Sequence, residues 1–319
     1  MARGWRVIDA TKFEGTVAGA RGRLVMYPSV DKHGQVKKPT ELPAEELAVL
    51  LVGGKTAVTA AALHYATKHD VAVLGSDWRG VPFAGLVPWS DHGRVAARHI
   101  AQAGLSEPRR KNAWMRIIKA KVLGQAATLE PIDSAGAQKL VEIARSVRSG
   151  DPQNSEGLAA RIYWRRLFPD IDAFLRDRYG ADHANPLLNY GYTVLRGYGI
   201  RAVLGAGLCP PLGLFHHGRS NYFNLVDDLI EPFRPAIDAA VVALGSDADL
   251  NDGDVRRSVV ASASQPFTAE GHRIPGALDD LAQQLGRYVE GEVATLTVPV
   301  WSGPPQLSDL DDELSSGGF

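Results

Sequence analysis

Apolar positions follow two patterns along the chain, and the pattern changes near residue 88. Before that point they come as short runs: WRVID (5–9), RLVMY (23–27), LAVLLV (47–52), VAVLGSDW (71–78) and VPFAGLVP (81–88). Gly, Pro and charged residues separate them, which predicts strands joined by turns. HGQVKKP (33–39) reads as an exposed hairpin tip. One helix interrupts the strands, from Thr56 to Lys68, rich in alanine and with Thr56 placed to cap it.

After Pro88 the helical period takes over. His92 to Gly104 forms a first helix, and Ser106 caps a long one that ends near Glu130. Trp114, Ile117, Ile118, Val122 and Leu129 recur on it at helical spacing. Residues 131–155 are polar and close in the loop SGDPQNS, after which Ser155 caps a helix over 156–168. NPLLNYGYTVLRGYGIRAVLGAGL (185–208) predicts a long helix with a small-residue face, running to a break at Cys209–Pro211. The fold class is therefore α+β: a β-rich N-terminal domain over 1–88, then a larger all-α domain over 89–305. The acidic, polar tail over 306–319 lacks the apolar residues to order itself.

Composition adds limits but no direction. A chain of 319 residues with 45% apolar and 22% charged residues is an ordinary globular protein. A net charge of −1 leaves only the distribution of charge to speak for or against nucleic acid. One cysteine, Cys209, cannot form an internal disulfide, which suggests a reducing cytoplasm. MARGWRVIDATKFEG carries charges where a signal peptide needs an apolar run, and no stretch is long enough for a membrane span. Three motifs fall short. GGKT (53–56) lacks the first glycine of a phosphate loop, because Val49 stands there, so it reads as a strand-to-helix turn. GYGIRA lies within a predicted helix and not after a strand. DADLNDGD (247–254) has Asp252 where a calcium loop needs glycine and Ser258 where it needs glutamate, so it reads as an exposed loop.

Charge patterning is more informative. From Arg94 to Lys121 stand eight Lys or Arg (94, 98, 109, 110, 111, 116, 119, 121) and one acid, Glu107. Such a run is either a solvated helix face or a phosphate-tracking patch, and Arg109, Arg110 and Lys111 are its densest part. Arg161, Arg165 and Arg166 follow Glu156 on the next helix, interleaved with Tyr163 and Trp164, as suits a nucleic-acid groove or a protein interface. Glu156 itself sits in a first helical turn, where the dipole favours an acid.

The densest chemistry lies in HHGRSNYFNLVDDLIEPFRP (216–235). If DDLIE is helical, Asp228 and Glu231 share a face at i,i+3, as do Asp227 and Glu231 at i,i+4, with Leu225, Leu229 and Phe233 on the core side. Pro232 kinks or ends that helix. Acids beside a buried stripe need a compensating charge, either a divalent metal or an arginine.

Three segments together resemble the CRISPR-associated integrase family, Cas-one. DVAVLGSDWRGVPFAGLVPW with PRRKNAW is similar to the branch that accompanies large single-effector systems. NSEGLAARIYW resembles the family's helix with a metal-binding glutamate, and GLFHHGRSNYFNLVDDLIEPFRP its histidine-and-acid signature. Residue by residue, the resemblance implies that Glu156, His216 and Glu231 are the metal ligands and catalytic residues. Asp228 matches an accessory acid. His217, adjacent, leaves open which ring reaches the ion. The resemblance further implies a β-domain followed by a helical catalytic domain, and a homodimer bridged by a small Cas-two-like protein. It implies double-stranded DNA as substrate and the effector nuclease of the same system as a further partner. The activity implied is insertion of short DNA segments into a CRISPR repeat, an antiviral function. An oxygen-rich site with one imidazole suits Mg²⁺ or Mn²⁺. Two other readings stay open: a metal-dependent nuclease on branched DNA in repair, and a non-catalytic DNA-binding scaffold whose acids pair with Arg196, Arg201 or Arg234.

Overall fold

The computed structural model describes residues 6–30, 34–35, 37–76, 82–86, 88, 92–177, 179–180 and 182–304. Parts of the hairpin tip at 33–39 and of the runs at 71–78 and 81–88, and all of the chain from 305, lie outside them.

Two four-stranded sheets make up the N-terminal part, which agrees with the β-rich expectation. One has the order β1-β5-β7-β8: β1 (Arg6–Ala10), β5 (Leu47–Val52) and β7 (Ala72–Ser76) run parallel, and β8 (Pro82–Leu86) pairs antiparallel to β7. The other has the order β4-β3-β2-β6, built from β2 (Gly15–Ala20), β3 (Arg23–Pro28), β4 (Thr40–Leu42) and β6 (Thr56–Val58). LAVLLV became the inner parallel strand because it is apolar on both faces. Leu47 through Leu51 are each 1% exposed or less. The strand feeds two cores: Leu47 and Leu50 join Val17, Leu24 and Val73, while Val49 and Leu51 join the helices.

The helix expected from Thr56 starts later. Thr56 opens strand β6, and its hydroxyl donates to the carbonyls of Phe13 (2.8 Å) and Ala10 (3.2 Å). Thr59 does the capping, accepting from the Ala62 N–H at 3.2 Å, and α1 spans Ala60–Lys68. GGKT is therefore a strand-to-strand turn. Strand β2, GTVAGA, lacks the large apolar residues that mark the other strands, so the pattern of apolar runs passes over it.

The helical part follows as α2 (Val95–Ala103), α3 (Glu107–Leu129), α4 (Ser134–Ser146), α5 (Ser155–Leu167), α6 (Ala184–Gly205), α7 (Asn224–Leu229), α8 (Arg234–Leu244), α9 (Gly253–Ser262) and α10 (Ile274–Val289). Helix α4 occupies the segment that reads only as polar; its buried face is Ala137, Leu140 and Ala144, too narrow to stand out from the flanking charges. Helix α6 is covered nearly all round, as befits a central helix. Its small-residue face has a purpose: a β-carbon on Gly197 would lie 2.8 Å from a methyl of Val49, so the helix rests directly on the first sheet. That sheet and the helices share one continuous core across residue 88. Asp252 caps α9 by accepting from Asp254 N–H, so the DADLNDGD acids include a helix cap. Among the described residues no helix is long and apolar enough to cross a membrane.

Candidate active site

Three elements bring the acids together. Helix α5 begins where Asp151 and Asn154 satisfy its free N–H groups. Asp151 accepts from Ser155 (2.8 Å) and Glu156 (3.0 Å), and Asn154 accepts from Gly157 (3.2 Å). The cap is thus Asn154 rather than Ser155, and Glu156 is held in the first turn. Helix α7 stops at Leu229, and Pro232 carries the chain through a 3₁₀ turn, Glu231–Phe233, into α8. That break ends the regular helix before Glu231, and the acids on either side of it take different partners. Leu225, Leu229 and Phe233 are fully buried, as the apolar stripe predicts.

Each acid has its own partners. Asp227 meets Arg196 in a two-pronged pair, Nη2 donating to Oδ2 at 3.1 Å with Nε 2.8 Å from Oδ1. Asp228, wholly buried, accepts from the backbone N–H groups of Leu214, Phe215 and His216 and faces His216 Nδ1 at 2.6 Å. In the neutral ring this contact places the proton on Nδ1 and leaves the lone pair on Nε2. The hydrogen bond to Asp228 raises the His216 pKa above the ordinary value; partial burial opposes it, and the charges of Asp228 and Glu231 add to it. His217 is exposed and has no comparable anchor among the described residues.

Glu156 and Glu231 converge on one cation, Lys121 of α3. Its Nζ lies 2.7 Å from Glu156 Oε1 and 2.6 Å from Glu231 Oε2. Arg234 Nη2 lies 3.1 Å from the other Glu231 oxygen. Glu231 is 4% exposed, and its Oε2 is held by the Lys121 ammonium. Burial would push the Lys121 ammonium pKa down, but the charges of Glu231 and Glu156 outweigh it and hold the pKa above the ordinary lysine value. Burial likewise works to raise the Glu231 pKa, and Arg234 with Lys121 overcomes it and lowers it. Among the described residues, no three His, Cys, Asp or Glu side chains gather at metal-ligand spacing.

Beside His216 opens a polar cleft of about 610 Å³, lined among others by Arg176, Tyr192, Arg196, Asp227 and Arg234. Arg176 and Arg234 both lie over the Tyr192 ring. Next to His216, Phe215 stacks parallel on the buried Trp114 at 4.5 Å and remains half exposed.

The basic residues divide between internal and outward roles. Arg109 lies over the Tyr288 ring and donates to the carbonyls of Tyr288 and Val293, tying α3 to α10. Lys111 pairs with Glu107, and Arg166 with Asp133. Arg110 adds its charge to that of Lys111 beside Glu107, whereas Arg161 and Arg165 are exposed and have no partner among the described residues. The residue missed from the sequence is Lys121. It sits at the spacing of Trp114, Ile117 and Ile118, so it falls on the buried face of its helix. A lysine there requires an acid, and that was the available signal.

By fold the chain is similar to a casposase solved bound to its integration product, with TM-score 0.79, 18% identity and coverage of 98% of this chain and 99% of that one. It is also similar to a chain of a Cas6-RT-Cas1–Cas2 complex, with TM-score 0.72 and 17% identity, over 96% of this chain and 37% of that one. At such identities the likeness shows the fold alone. In sequence, residues 21–262 match the family model described as CRISPR associated protein Cas1. The CRISPR-associated endonuclease Cas1 of Neisseria meningitidis is 36% identical over 232 residues, 72% of this chain and 73% of that protein. The chain belongs to the Cas1 family of CRISPR-associated nucleases and integrases.

Proposed function

We propose that this protein is a metal-dependent DNA integrase of CRISPR adaptation, in which Glu156, His216 and Glu231 hold a Mg²⁺ or Mn²⁺ ion. The observation that carries the reading is the convergence of Glu156 and Glu231, from separate elements, on one buried cation position. The donor types suit such an ion: two carboxylates and an imidazole whose Nδ1 is committed to Asp228. Lys121 stands in the place of the ion. When bound, the ion would activate an attacking oxygen and neutralise charge on the phosphate and leaving group. A DNA 3′-hydroxyl attacks a phosphorus of the target strand and one phosphodiester bond forms. The old bond to a 3′-oxygen breaks, and a proton is lost from the attacking hydroxyl and gained by the leaving one. Asp228 fixes the imidazole with Nε2 turned outward. Arg176, Arg196 and Arg234 line the cleft where a DNA backbone would lie.

The same reading assigns the chemistry to residues 89–305 and assembly to residues 1–88. Sheet edges β1, β8, β4 and β6 offer strands for homodimer pairing. A small Cas-two-like protein and, in the single-effector branch, the effector nuclease are the further partners, acting on double-stranded DNA in the cytoplasm. A branched-DNA nuclease would use the same site with water as the nucleophile.

One observation favours the scaffold alternative: Asp227 pairs with Arg196, and Glu231 with Arg234, as purely structural acids would. Strand-transfer assays decide the matter, using Glu156→Ala and Glu231→Gln with a 3′-hydroxyl duplex and a repeat-bearing plasmid. Joining and cutting should fall to background in both variants, while DNA binding changes little. Variants that still join strands but melt much earlier would leave the acids with a structural role only.

A further inference from the structure

We propose that Lys121 is the resident cation of the Glu156–Glu231 pair, and that a divalent ion enters the site only by displacing its ammonium. The inference rests on the metal-centre reading and adds a positioning residue to it.

Geometry carries the argument. One ammonium touches both carboxylates, at 2.7 and 2.6 Å, and its side chain is only 14% exposed. Two carboxylates facing each other in a buried place repel unless a cation lies between them. Lys121 supplies that cation, and Arg234 balances the second charge. The four groups together are neutral. A divalent ion placed among them with the ammonium still present would meet a like charge at close range, in surroundings that screen poorly. Ion and ammonium therefore compete for the same oxygens.

The Lys121 contacts differ from a closed structural ion pair in one respect. An ammonium on a four-carbon stem is a mobile point charge with no fixed fork, so it can withdraw without dismantling the backbone. The lysine keeps the two acids apart and ordered until an ion arrives. An incoming DNA phosphate is the natural anion to draw the displaced ammonium away, so ion and DNA should each favour the other's binding.

The test is Mn²⁺ binding to the full chain without DNA, followed by the electron-paramagnetic signal of free ion, alongside thermal melts. Lys121→Met should bind Mn²⁺ at least tenfold more tightly than the unaltered chain, a gain that damage to the fold would not produce. In chelator the variant should melt earlier, and Mn²⁺ should restore it. Lys121→Gln, which also removes the charge, should behave the same way if the methionine variant folds poorly. Equal or weaker Mn²⁺ binding in the folded variants overturns the proposal. The double variants Lys121→Met with Glu156→Gln, and Lys121→Met with Glu231→Gln, separate the two ideas. Loss of the added affinity in both upholds the exchange. If the added affinity survives in both, the ion sits elsewhere, and the metal-centre reading fails with the proposal.

Discussion

Two clusters in the helical part bury cations against acids, and they are built differently. Where α2 meets α10, Arg94 and Arg98 close on one carboxylate, Glu290. Arg98 Nε lies 3.1 Å from Glu290 Oε2, and its Nη1 donates to Gln283 Oε1 at 3.0 Å and to the Ala206 carbonyl. Gly286 packs so tightly on the guanidinium that a β-carbon there would collide with it. The guanidinium is met by acceptors at both Nε and Nη1. At Lys121 one flexible ammonium serves two carboxylates, and Arg234 pairs with one of them. A cluster with more donors than acids is closed. A cluster in which two carboxylates share one flexible ammonium is open to another cation.

The widest test of that contrast, after the loss of joining expected on removing Glu156 or Glu231, is Arg98→Ala. Three hydrogen bonds go at once, at about 1 kcal/mol each, so unfolding in urea should lose about 3 kcal/mol. Glu156→Gln should cost under about 1 kcal/mol, because its side chain is 27% exposed and its partner keeps Glu231. Equal losses from the two substitutions would erase the distinction between a locked and an exchangeable cluster.

Beneath the open cluster lies a third acid, Asp238, which borders the same small cavity as Lys121 and Arg234. It accepts from Tyr163 Oη at 2.9 Å and from Tyr192 Oη. Burial pushes its pKa up to about 6; the two tyrosine hydrogen bonds pull the other way without winning. The folded chain therefore holds a proton that the unfolded chain has released above about pH 4. Stability from this group must fall as pH rises from about 4 to 6, by up to about 3 kcal/mol. Asp238→Asn removes that dependence. The stability of the unaltered chain minus that of the variant should decline across this window, measured by urea melts at several pH values. A flat or rising difference would mean that Asp238 is already a settled carboxylate at pH 4, and that the cavity below Lys121 is not short of positive charge.

Much of this arrangement was legible in the sequence, and the reason is local. The run LAVLLV and the period of α3 report burial residue by residue, so strands and helices followed. Glu156, His216 and Glu231 stood out because each sits in a short segment with its own signature. What escaped depends on contacts between distant segments. Thr56 reads as a cap until the carbonyls of Ala10 and Phe13 arrive to claim its hydroxyl. Arg109 reads as one of eight equivalent charges until α10 brings Tyr288 beneath it. Asp227 and Glu231 read as neighbours on one face, and only the fold supplies the different cations, Arg196 and Lys121, that they pair with. Lys121 is the intermediate case: its place on the apolar face was visible, while the identity of its two acids required the fold.

The smallest expected effect concerns cations that neither cluster uses. Most of the basic run from Arg94 to Lys121 is committed: Arg94 and Arg98 to Glu290, Arg109 to Tyr288, Lys111 to Glu107 and Lys121 to the acids. Arg161 and Arg165 are exposed on α5, four residues apart and so on one face, with no partner among the described residues. A cation already neutralised by a protein acid releases few counterions when DNA arrives, whereas an unpaired one releases nearly a full charge. Replacing both Arg161 and Arg165 with Gln should therefore flatten the slope of log affinity against log salt by about one to two units. Replacing Lys111 should alter it less, because Glu107 already claims that charge. Stability should change by no more than about 0.5 kcal/mol for either exposed arginine, since no internal contact is lost. If the slope follows Lys111 and ignores Arg161 and Arg165, the DNA path runs along α3, and the ion pairs there open on binding.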